Sequence, residues 1–196
     1  MGLDFTCITL PLDAAPVRAI RADPALWAIA DEQPPFTRPW PGEDLPQISR
    51  DLLAVVPPGT RWTPRWFSSR NHEQAEYLLD PAAYRAAQTW EQRERTPAYR
   101  AIMGVEVFAT HATSGQGIRW RCSTATQLAE AADLIDALDV DGARRAYSVT
   151  DMHDQGIYKV HESGDTFDDN LRDLRSWADH CRDLSTRSLD LVITLY

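Results

Sequence analysis

The chain closes on LDLVITLY, Leu189–Tyr196, and this stretch limits the fold more than any other. An uninterrupted apolar strand cannot leave one face in water. It belongs inside a sheet, with helices covering both sides. Just before it runs an amphipathic segment, Phe167–Leu184. Its apolar residues Phe167, Leu171, Leu174, Ala178 and Cys181 recur at helical spacing, while Asp168, Asp169, Arg172, Asp173, Arg175 and Asp179 fall on other faces. Strand and helix together predict an α/β fold: a helix-rich single domain with a small mixed β-sheet flanked by helices in a three-layer-like arrangement. A length of 196 residues suits one domain spanning the whole chain.

Further elements follow from local signals. Residues 3–10, LDFTCITL, alternate as a strand. Asp13 is a candidate N-cap for a short helix through Val17 and Ile20, and Asp23–Pro24 restarts a helix through Leu26, Trp27 and Ile29. Five prolines between 33 and 47 exclude a long element and predict an extended loop, with a short helix between it and Pro57–Pro58–Gly59. Residues 71–103 read as three helical pieces, opened by Asn71, by Asp80–Pro81 and by Thr96–Pro97, and closed by Gly104. Strands are predicted near 105–109 and 117–122. Thr124–Gln127, TATQ, is a capping box for a helix whose Leu128, Ala131, Ile135 and Leu138 share one face. Short helices are predicted at about 142–147 and 150–155.

Charge narrows the function classes. The net charge is −9, and it is uneven: residues 1–100 carry 11 Lys and Arg against 13 Asp and Glu, whereas residues 101–196 carry 9 against 16. Such a surface repels nucleic acid and anionic membranes and suits a basic protein partner. Cys7, Cys122 and Cys181 are few and widely spaced, with no CxxC, so neither a disulfide framework nor a zinc knuckle is indicated. The N-terminus has no basic n-region ahead of an apolar run, and the expectation is a cytoplasmic protein.

The stretch DMHDQGIYKVHESGD, Asp151–Asp165, gathers histidines and carboxylates as a metal site would. Its spacing is not that of a metal motif. Thr150 as a cap, Gly156 as a left-handed helix terminator and Ile157 as its apolar follower explain it as a solvated turn, so no metal is expected. No cofactor is indicated either, since GxGxxG, GxxxxGK[ST] and GxSxG are all missing. RWTPRWFSSRNH, Arg61–His72, mixes arginines with tryptophans. Stems of arginine covering indole faces explain it structurally. As a pocket it would offer Arg65, Arg70 and His72 as polar groups and Trp62 and Trp66 as walls.

One family pattern is visible. AIMGVE at Ala101–Glu106, ATQLAEAADLIDAL, ARRAYSVTDMHDQGIY and the closing LDLVITLY resemble the YfbM-like family of bacterial domains of unknown function, as does the opening MGLDF. The family's usual proline after the tyrosine is Lys159 here, and residues 11–100 match poorly. The resemblance implies helices around a mixed sheet and carries no activity, cofactor or catalytic residue. Two readings of function stand: a non-enzymatic binding or interaction domain with an acidic surface, and a small-molecule binder or enzyme with its pocket beside the proline-rich loop and residues 61–72.

Overall fold

The computed structural model describes residues 5–26, 44–57, 71–109, 112, 117–158, 160 and 166–195. In chain order the elements are β1 (Phe5–Thr9), α1 (Ala15–Ala22), α2 (Gln47–Val55), α3 (His72–Leu79), α4 (Pro81–Ala86), α5 (Trp90–Arg93), α6 (Pro97–Met103), β2 (Glu106–Val107) and β3 (Arg121–Ser123). They continue with α7 (Ala125–Asp136), α8 (Val140–Ala146), α9 (Val149–Asp154), α10 (Phe167–Thr186) and β4 (Leu191–Leu195).

The closing apolar strand lies where its composition demands. Sheet order is β1-β4-β3-β2, so β4 is interior. Cys7 pairs with Ile193 on one side and Arg121 with Ile193 on the other. The α/β architecture is present, but all three pairings among the described residues are antiparallel, where a mixed sheet was expected. The connection from β3 to β4 runs through α7–α10 and is long enough for a parallel crossover, yet β4 enters the sheet antiparallel to β3.

Alternation along the strands divides the core in two. Phe5, Cys7, Leu191, Ile193 and Leu195 face a layer built from α3, α6, α7 and α10. Ile8, Val192, Trp120 and Cys122 face the opposite side, against Val17 and Ile20 of α1 and Leu52 of α2. On the larger side α10 buries Phe167, Leu171, Leu174, Trp177, Ala178, Cys181 and Leu184. Trp177 meets Phe5 edge-on at 5.3 Å between centroids, and its Nε1 donates to the Ala101 carbonyl at 2.9 Å, which ties α10 to α6. The three cysteines are free and buried.

Several helix starts differ from the sequence reading. The N-cap of α1 is Ala14 rather than Asp13, and Ser148 rather than Thr150 caps α9. Asn71 precedes α3 without capping it, because its amide is drawn inward to Asn170 Oδ1 at 2.6 Å. Asp80, Thr96 and Thr124 cap as expected. The loop expected over 33–47 lies outside the described residues up to 43, and Gln47 already opens α2.

Candidate functional site

Among the described residues, a dense group of titratable side chains is interior and centres on Arg93. Glu73 and Glu76 stand one turn apart on α3, both facing the short helix α5 that carries Arg93. Arg93 Nε donates to Glu76 Oε1 at 3.0 Å and Oε2 at 2.9 Å, Nη2 to Oε2 at 2.6 Å, and Nη1 to Glu73 Oε1 at 2.8 Å. The guanidinium carbon lies 4.6 Å from the Tyr84 ring centroid and 5.1 Å from that of Trp90. Glu73 Oε2 also accepts from Tyr158 N–H at 2.8 Å, which fixes the turn after α9 to α3. Burial pushes the Glu76 carboxyl up to about 7 despite the Arg93 hydrogen bonds. Burial opposes ionisation of Glu73 too, but Arg93 outweighs it and holds that carboxyl below its usual range.

Beside this triad, Arg121 is buried on β3. Its Nε donates to Gly104 O at 2.8 Å, Nη2 to Val105 O at 2.7 Å, and Nη1 reaches Glu94 at 3.4 Å. Both guanidiniums flank Tyr99, whose hydroxyl is buried without a hydrogen-bond partner. Two cations facing three carboxylates in a largely buried setting form a closed electrostatic joint. Its groups are occupied with one another, and it holds α3, α5, α6 and β3 in place.

The acidic turn resolves in the same way. Gly156 has φ +72°, its N–H donates to His153 O at 2.9 Å, and Ile157 N–H donates to Met152 O at 3.0 Å, the hydrogen-bond pair of a Schellman cap. Asp151 accepts from Tyr77 Oη and, at 2.8 Å, from Arg85 Nε. Those two donors lower its pKa, Tyr77 foremost. His153 and Asp154 form an exposed contact of 3.5 Å. Among the described residues no three His, Cys, Asp or Glu side chains converge to hold a metal ion. His161, Glu162 and Asp165 lie outside the described residues.

Of the pocket residues proposed from sequence, Trp62, Arg65, Trp66 and Arg70 also lie outside the described residues. His72 is described and is 3% exposed, with its ring 6.2 Å from that of Phe5. Burial lowers its pKa to about 4, so it is neutral at pH 7, and its Nδ1 has no hydrogen-bond partner. The ring packs in the core beside Phe5.

The sequence reading missed a surface on α7. Leu128, Ala131, Ala132 and Ile135 point into the core, and the outer stripe is Glu130, Asp133, Leu134 and Ala137. Leu134 is 38% exposed. On one side it lines a shallow groove of about 310 Å³ with Pro97, Ala101, Val105 and Ala131, at whose rim Arg100 also stands. On the other it lines one of about 340 Å³ with Leu79, Pro81, Leu138 and Ala146. Glu130 and Asp133 beside it carry no ion pair among the described residues, whereas Asp136 is taken up by Arg182. The signal was present: Leu134 is the apolar residue that falls off the inward stripe.

A small antiparallel sheet covered on both faces by helices, with its interior charges paired with one another, defines a helix-rich α/β domain. Residues 76–187 match the family described as a domain of unknown function (DUF1877), more than half of the chain, and the chain belongs to that family. The fold also resembles the crystal structure of a protein of unknown function, YfbM from Escherichia coli, with a TM-score of 0.58 and 14% identity over 99% of each chain. At that identity the likeness shows the fold alone. No curated protein matches the chain. No helix among the described residues is long and apolar enough to cross a membrane.

Proposed function

We propose that this chain is a non-enzymatic interaction domain that receives a basic protein partner on the outer face of α7. The observation that carries this reading is Leu134, an exposed leucine standing between two shallow apolar grooves and flanked by the unpaired carboxylates of Glu130 and Asp133. An apolar centre with a charged rim is the usual anatomy of a protein–protein interface. The carboxylates set the sign of the partner and speed its approach, while the leucine and the grooves supply the burial that holds it. The acidic surplus of residues 101–196 strengthens the attraction over longer range.

The test uses the full chain as bait in an extract of its native host, at low and at high salt, beside L134D and E130K/D133K variants. The reading expects a basic protein that is retained by the wild type, released by salt and lost with both variants. An identical set of proteins on all three baits contradicts it. Because Leu134, Glu130 and Asp133 are surface residues, the variants should melt within about 0.5 kcal/mol of the wild type.

A further inference from the structure

Three arginines gather at one place on this acidic chain. Arg18 and Arg21 lie one turn apart on α1, and Arg119 stands just before β3. With Ala22, Val107, Phe108 and Ala109 they line an open groove of about 620 Å³, on the far side of the sheet from α7. The three are not equally engaged. Arg21 is fixed: its Nε donates to Phe108 O at 2.9 Å, and Nη2 reaches Glu106 Oε2 at 3.4 Å. Arg18 donates only to the Asp13 carbonyl and has no carboxylate partner among the described residues. Arg119 approaches Glu94 only at the limit of an ion pair, 4.0 Å, and is about half exposed. Glu106 is the competing acid at the rim, and it also accepts from Gln127 Nε2 at 3.2 Å.

We propose that this groove binds a small molecule bearing a phosphate or diphosphate group. Three guanidiniums held around one hollow repel each other, and a multiply charged anion relieves that repulsion. The planar guanidinium fork matches phosphate oxygens two at a time, which a single carboxylate cannot exploit three times over. The volume lies within the range of small-molecule sites, and the alanine and valine walls suit an organic body attached to the phosphate. A net charge of −9 disfavours a long nucleic acid, whose phosphates would run out over acidic surface, but does not act against a ligand confined to the groove.

Isothermal titration of the full chain with pyrophosphate, ADP and adenosine tests this, repeated with the R18Q/R119Q variant. Arg21 is left in place because it bonds the backbone. The wild type should bind pyrophosphate and ADP saturably, less tightly as salt rises, and should not bind adenosine. Each arginine removed should weaken binding about tenfold. Equal affinity for the two ligands assigns the recognition to the diphosphate alone, and tighter ADP binding adds the apolar wall. No saturable binding of either anion overturns the proposal. So does unchanged affinity in a variant that melts like the wild type.

Discussion

Gly104 is held to glycine by two independent constraints. Its φ is +94°, a region that L side chains rarely adopt, and a Cβ there would meet the Cys122 backbone at 3.1 Å. Backbone cannot step aside as a side-chain tip can, so the alanine variant carries both strain and a clash. Gly104→Ala should cost more than the roughly 1–3 kcal/mol of the backbone strain alone, measured by urea unfolding. The sequence marked this glycine as a helix terminator, but its close approach to β3 could not be read before the partner strand was known.

The titratable residues of the core make a second prediction at this scale. Burial lowers both His72 and His180 to about 4. Between the ordinary histidine pKa near 6.5 and that value, the unfolded chain takes up protons that the folded chain refuses. Stability therefore falls as pH drops through that window. Glu76 acts in the opposite sense. Its folded pKa of about 7 lies above the usual 4.5, so its contribution is full below 4.5 and is lost as pH rises toward 7. Removing it in E76Q should leave the histidines unopposed, and stability should fall more steeply on acidification from pH 7 to pH 5 than in the wild type. Chemical unfolding at stepped pH reads both slopes, and identical slopes contradict the assignment.

Elements differ in how plainly the sequence announces them. The helix α10 was legible almost to the residue, because its stripe is regular and Thr166 with Asp169 closes a capping box at its start. By contrast the sequence merges α5 with the piece opened by Asp80–Pro81, although Thr89 and Gln92 form a complete capping box that restarts the helix. Its four residues show no apolar period, so the box was the only local signal. The two-faced burial of β4 was legible from its composition. The antiparallel direction of its neighbours was not, since pairing depends on residues far apart in the chain. The charge cluster was hidden for the same reason: Glu73, Glu76, Glu94 and Arg93 look like solvated helix faces until α3 and α5 are packed together. Two substitutions measure these joints. Arg93→Ala leaves two buried carboxylates without their cation and should cost about 3–5 kcal/mol. Leu174→Ala, at a fully buried site on α10, should cost about 2–5 kcal/mol. Both are read by chemical unfolding.

Across the whole molecule the charges sort by depth. The interior pairs are closed, and most carboxylates along α10 are matched by arginines: Asp168 by Arg144, Asp169 by Arg172 and Asp183 by Arg187. Glu130 and Asp133 on α7 carry no ion pair among the described residues, and the proposed function rests on their place beside the exposed Leu134. The candidate pocket at residues 61–72 was legible only as composition, whereas an exposed leucine becomes meaningful once the direction of its helix face is known. Hydrogen–deuterium exchange on the chain with its captured partner bears on this directly. The account predicts that amides protected by the partner cluster in α7 around residues 130–138, with α1 and β2 unchanged. Protection confined to α1 and β2, or spread without regard to α7, would contradict it.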